Sequence, residues 1–227
     1  MVEGTAMSER ENILTRVREA LSRKTQGQGG SPTVADLRRV LPTVEATPAG
    51  QLALFQKNAA ELRADFHLVP DWESLKLHLR SLCETEGWRK VAAHKGQFSQ
   101  TAAESLGVEV LLTGDGFDKN ELEAIPVGIT ECDALVAQTG SVLVTSRSAG
   151  GRALSCLPPH HVVIARQDQL VADLPAAMEL LQRKYGANYP SMISFITGPS
   201  RTGDIERILV LGAHGPKKLT LYLVANT

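Results

Sequence analysis

The stretch from Asp71 to Thr113, DWESLKLHLRSLCETEGWRKVAAHKGQFSQTAAESLGVEVLLT, decides the fold class. Asp71 is a capping residue placed before Leu75, Leu79, Leu82 and Cys83, which recur at helical spacing. Val91-Ala-Ala93 is then short and apolar, as a buried strand requires. Ser99 to Leu106 is helical again, and Val108 to Thr113 returns to strand. Helix and strand alternating at this period is the pattern of an α/β fold.

Upstream, Thr47-Pro48 places a cap before a proline suited to a first helical turn, with Leu52, Phe55, Ala59 and Leu62 following on one face. Ser8 to Arg23 reads as an amphipathic helical arm: Ser8 and Glu11 have capping-box spacing, and Ile13, Leu14, Val17, Ala20 and Leu21 share a face. Thr25-Gln-Gly-Gln-Gly-Gly-Ser-Pro32 has too little apolar surface to fold alone and reads as a linker. The expected organisation is therefore an arm and linker over 1–32 and one domain over 33–227. Met7 opens a natural helix start and is the expected initiator.

Downstream, Ala134 to Ala137 and Val142 to Thr145 flank Gln138-Thr-Gly-Ser141, which predicts an antiparallel hairpin. His161 to Ala165 is a buried strand, and Leu174 to Tyr185 a helix with Pro175 in its first turn. Met192 to Ile196 is strand-like, and Lys218 to Val224 closes the chain as a strand. The expected core is an open mixed sheet flanked by helices.

Composition narrows the function. The 227 residues carry 24 Lys+Arg against 25 Asp+Glu, a net charge of −1, which argues against a broad surface for nucleic acid. No apolar run approaches the about 18 residues of a membrane span, and the N-terminus lacks the basic start and apolar stretch of a secretory signal. A cytoplasmic setting is expected. The three cysteines, Cys83, Cys132 and Cys156, are too dispersed for a zinc ribbon or a ferredoxin-type cluster. There is no Gly-x-Ser-x-Gly elbow, dinucleotide fingerprint or P-loop.

Two segments can carry chemistry. Thr197 to Glu206 reads as a strand end, a loop and a short helix whose free N–H groups, with Arg201, would hold an anion; the same residues would also serve as an ordinary junction with Arg201 paired to Asp204 or Glu206. In the Gln138 to Ser141 turn, Gly140 would let a ligand approach closely while Thr139 and Ser141 bind its oxygens, or all three are simply turn residues. His160 and His161, adjacent on a strand, face opposite ways and do not chelate one metal. His214, in Gly212-Ala-His-Gly-Pro216, either faces a pocket or satisfies a backbone group.

The runs Gly128 to Thr145, Leu157-Pro-Pro-His-His161, Ile196 to Glu206 and Gly212-Ala-His-Gly-Pro-Lys217 together resemble the lactate utilization protein C family, a LUD-domain family. The resemblance covers the C-terminal half closely, and the Gly-Pro-Ser-Arg-Thr-x-Asp-Ile-Glu string is its most specific motif. It implies an open α/β fold similar to that of ribose-5-phosphate isomerase, glucosamine-6-phosphate deaminase and the coenzyme A transferases. It implies a part in oxidising L-lactate to pyruvate alongside two iron–sulfur proteins, the A and B components. On this resemblance the chain is the subunit without a cluster, any iron–sulfur cofactor residing on those partners. A pocket for a small carboxylate or phosphate would then involve Thr139, Gly140, Ser141, Ser200, Arg201, Thr202, Asp204 and His214, with no catalytic residue assigned and no metal. Gln138 stands where an acid would be easier to read as a base, so a glutamate-nucleophile transferase mechanism is not supported. The alternative is a free-standing enzyme acting on a phosphorylated or coenzyme A thioester metabolite.

Overall fold

Residues 9–22, 42–205, 208–212 and 214–226 are described by the computed structural model. The chain divides into residues 1–40 and 41–227. In the first unit, helix α1 (Glu9–Ser22) forms where the arm is expected. The linker over 25–32, the start at Met7 and the cap at Ser8 lie outside the described residues.

The second unit opens with helix α2 (Pro48–Glu61), whose first turn is held by Thr47 Oγ1 accepting from Gly50 N–H at 3.1 Å. Strand β1 (Asp65–Val69) follows, then helix α3 (Trp72–Glu86), whose cap is Asp71 accepting from Ser74 N–H at 2.8 Å. Next come β2 (Lys90–Ala93), α4 (Gln97–Glu104), β3 (Glu109–Leu112), α5 (Lys119–Ala124) and β4 (Val127–Glu131). The hairpin of β5 (Ala134–Val136) and β6 (Ser141–Thr145) leads to β7 (His160–Arg166) and β8 (Leu170–Val171). Helix α6 (Leu174–Tyr185) and β9 (Ile193–Ile196) precede β10 (Arg201–Ile205), β11 (Ile208–Leu211) and β12 (Lys218–Val224).

Six strands form one wholly parallel sheet in the order β1-β12-β7-β4-β2-β3. The antiparallel pairings expected within a mixed sheet lie apart from it, in a four-stranded sheet of order β8-β5-β6-β9. The central strands are buried on both faces, and their sequences are accordingly unbroken apolar runs. One face of the parallel sheet (Val91, Ala93, Ile129, Val162, Ile164) packs on Leu75 and Leu79 of α3 and Ala102 and Ala103 of α4. The other (Val163, Ala165, Leu221, Leu223) packs on Phe55 and Ala59 of α2 and on Leu135, Val142 and Val144 of the second sheet. The outer face of that second sheet (Ala134, Val136, Leu143) is closed by Ala177, Leu181 and Tyr185 of α6.

One local reading is corrected. Thr197 to Glu206 does not enter a helix: Arg201–Ile205 is a strand that pairs antiparallel with Ile208–Leu211 through an irregular register. Ser, Thr, Gly and Asp, which favour helix caps, also favour the turns beside strands, and pairing with β11 settles the choice.

Phe55 is fully buried between the two sheets and meets Phe66 edge-on at 5.2 Å between ring centroids. Phe55→Ala is expected to lower stability by about 3–5 kcal/mol, the range for aromatic truncation in a core, as read from denaturant unfolding.

Candidate functional site

The residues expected to form a pocket gather near the amino ends of the parallel strands. Thr139 and Gly140 make the β5–β6 turn, where Gly140 has φ +64° and an added Cβ would stand 2.9 Å from the Asn58 carbonyl carbon. Asn58 Nδ2 donates to the Ala137 and Gln138 carbonyls at 2.8 and 3.0 Å. The Gln138 side chain donates to the Pro42 carbonyl at 2.8 Å and accepts from Leu174 N–H at 3.5 Å, a double duty that an amide can perform and a carboxylate cannot. Ser141 Oγ bonds Thr197 Oγ1 at 2.8 Å, and Thr139 Oγ1 is buried without a partner among the described residues.

Ser200 is tied through its backbone to Pro216 and Gly212, both at 2.9 Å, in the segment that precedes β12. The Arg201 guanidinium donates to the Leu62 carbonyl at the C-terminal cap of α2. Thr202 and Asp204 sit on β10, and His214 is exposed in the turn beyond β11. The structure thus brings the Thr139–Ser141 turn and Arg201 to the last turns of α2, and Ser200 to the His214 turn. In each case the described bonds are of a kind that fixes the fold.

A different cluster stands at the carboxyl ends. The chain leaves β2 for β3 on one side and leaves β4 for β7 on the other, so the adjacent ends of β2 and β4 form the switch point where open α/β sheets place ligands. His94 directly follows β2, and Glu131 ends β4. Helix α4 starts between them with Gly96 as a cap that has no side chain to offer. Glu131 takes over that task, its Oε1 accepting from the N–H groups of Phe98 and Ser99 at 2.9 and 3.2 Å. A carboxylate is favoured here by the free N–H groups and the helix dipole. His94 is 7% exposed, and its Nδ1 lies 2.9 Å from Ser99 Oγ. A Cβ on Gly96 would fall 2.2 Å from Glu131 Oε1 and 2.3 Å from His94 Nε2, so only glycine leaves the two groups facing one space. Burial holds the His94 imidazole below its ordinary pKa, against the opposing pull of Glu131.

Around this point Trp72 stacks on Phe98 at 4.7 Å, and the Arg166 guanidinium lies 5.3 Å from the Phe98 ring centroid. Composition had not singled out His94, Ser99 or Glu131. The signal that could have found them is a Gly beside a His at one strand end and an acid at the next.

Other polar groups in the interior are structural. Asp133 Oδ1 accepts from Lys184 Nζ and Tyr185 OH, both at 2.6 Å, tying α6 to the second sheet. Burial opposes ionisation of Asp133, but those bonds outweigh it and hold the carboxyl below its usual range. His160 and His161 bond Thr220 and Thr130 at 2.9 and 2.8 Å, and burial lowers them to about 4 and about 3. Burial pushes the Cys132 thiol upward, which disfavours a thiolate there. Among the described residues no group of three or more His, Cys, Asp or Glu is arranged to hold a metal, and no helix is long and apolar enough to cross a membrane.

An α/β protein with a parallel sheet and a histidine–carboxylate cluster at its switch point is the class that fold and site define. The LUD domain family matches residues 6–224, and the chain belongs to that family. Lactate utilization protein C of Bacillus subtilis (strain 168) is 28% identical over 255 aligned positions, covering 100% of both chains. The protein of the same name from Shouchella clausii is 38% identical over 107 positions, covering 47% of this chain and 46% of its own. The crystal structure of a DUF162 family protein from Deinococcus radiodurans superposes with a TM-score of 0.62 at 21% identity, covering 79% of this chain and 99% of that one, a likeness of fold.

Two outcomes follow from these contacts. Arg201→Ala should lower stability by about 1 kcal/mol through loss of its bond to the α2 cap, measured by thermal unfolding. For pH, the unfolded chain binds protons on His160 and His161 near 6.5, whereas the folded chain does so only near 4 and 3. The unfolded state holds more protons across that interval, so stability falls as pH drops below about 6.5, with a slope of up to about 1.4 kcal/mol per pH unit for each ring. His161→Gln should make the slope of unfolding free energy against pH shallower.

Proposed function

We propose that the protein is the cluster-free component of an L-lactate utilization system, acting with two iron–sulfur partner proteins in the oxidation of L-lactate to pyruvate in the cytoplasm. The observation that carries this reading is the similarity along the whole chain to the Bacillus subtilis protein named lactate utilization protein C. The chemistry of the chain is compatible with it. Oxidation of a 2-hydroxy acid releases two electrons, and the three dispersed cysteines offer no cluster-binding spacing to receive them. The role left to this chain is to bind a small carboxylate, to organise the partners, or both.

Deleting the gene is expected to abolish growth on L-lactate while sparing growth on pyruvate, and affinity purification from lactate-grown cells should recover iron–sulfur proteins. Normal lactate growth after deletion would sink the proposal. Turnover of a phosphorylated or coenzyme A thioester metabolite by the isolated chain would favour the free-standing enzyme instead.

A further inference from the structure

We infer that the space over Gly96, between the carboxyl ends of β2 and β4, is the binding site for a small 2-hydroxy carboxylate, with His94 and Glu131 accepting hydrogen bonds from the ligand's hydroxyl. The choice of a lactate-like ligand rests on the proposed function; the location rests on the geometry alone.

The hydrogen-bond network supports two vacant acceptors. Ser99 Oγ has one proton and four acceptor atoms around it: His94 Nδ1 at 2.9 Å, Glu131 Oε1 and the His94 carbonyl at 3.3 Å, and the Gly96 carbonyl at 3.5 Å. Donation to one of the oxygens leaves Ser99 Oγ free to accept from His94 Nδ1–H, which assigns the tautomer with a lone pair on Nε2. That Nε2 belongs to a side chain more than nine-tenths buried, is directed at Gly96 and has no hydrogen bond among the described residues. Every described hydrogen bond of Glu131 uses Oε1, which leaves Oε2 without one. Two acceptors facing one space call for a donor, and an alcohol hydroxyl supplies it where a ketone does not. Arg166, which ends the neighbouring strand β7 and lies over Phe98, is the cation placed to meet the carboxylate. The site also differs from the sequence-predicted one: the residues around Gly140 and Arg201 lie towards the opposite ends of the strands.

The test is titration calorimetry of the full chain with L-lactate and with pyruvate, together with NMR of the His94 ring. Saturable L-lactate binding, weaker binding of pyruvate, and a lactate-induced shift of the His94 ring resonances are expected. His94→Asn keeps a polar atom near the Nδ1 position for Ser99 and deletes Nε2; Glu131→Gln keeps an oxygen for the α4 N–H groups and removes the charge. Each should weaken lactate binding at least tenfold, and His94→Gln, with a polar atom near the Nε2 position, should recover part of the loss. Unaltered lactate binding by folded His94→Asn and Glu131→Gln overturns the inference, as does absence of saturable binding by the wild type. If either variant fails to fold, the wild-type His94 shift decides, and its absence at saturating lactate also overturns the site. Growth separates this from the broader reading: a deletion strain rescued fully on lactate by His94→Asn removes the site and keeps the lactate role. A deletion that grows normally removes the role, while calorimetry still decides the site.

Discussion

Burial of β7 and β12 on both faces is the constraint on which the rest of the structure depends. Alternate side chains of a strand point to opposite sides, so Val162 and Ile164 need one cover while Val163 and Ala165 need another. Parallel neighbours cannot be joined by a tight turn, and the crossovers they require supply the covering layers. Helices α3 and α4 serve one face in the usual manner. On the other face the crossover from β4 to β7 carries a β-hairpin, and the second sheet built on it joins α2 as the cover. That sheet has an apolar outer face of its own, which is why α6 is needed beyond it.

The same topology separates structural polarity from polarity available for chemistry. At the amino ends, hydroxyls, amides and Arg201 are taken up in turns, in the cap of α2 and in the segment before β12. At the carboxyl ends the chain departs in opposite directions from β2 and β4, and the gap brings His94 and Glu131 together across Gly96. Glu131 there is both the cap of a helix with no capping side chain and the charge beside a buried neutral imidazole. The two roles are coupled: the N–H groups that orient the carboxylate also stabilise its charge.

Elements with strong local patterning were legible in the sequence. The helix over Leu174 to Tyr185 and the strand over Lys218 to Val224 form with the expected bounds, and Thr47 and Asp71 cap the helices they precede. Each depends on spacing within a few residues. Arg201 to Ile205 was misread because cap-forming and turn-forming residues are chemically alike, and only pairing with Ile208 to Leu211 distinguishes them. Strand β1 was missed because it lies at the sheet edge, where Asp65 and His67 interrupt the apolar pattern. Motif richness drew attention to Thr139, Ser200 and Arg201, whereas His94 and Glu131, 37 positions apart, have no motif joining them.

By itself the sequence determined the α/β class, the order of most helices and strands, and a cysteine content too sparse for a cluster of its own. These properties follow from hydrophobic period, capping chemistry and composition, all of which act locally or additively. Tertiary structure alone decided which strands are neighbours, that the antiparallel pairs form a second sheet, and which polar residues face open space. Strand order depends on which buried faces can be covered together, a property of the whole chain, and it is strand order that sets His94 beside Glu131.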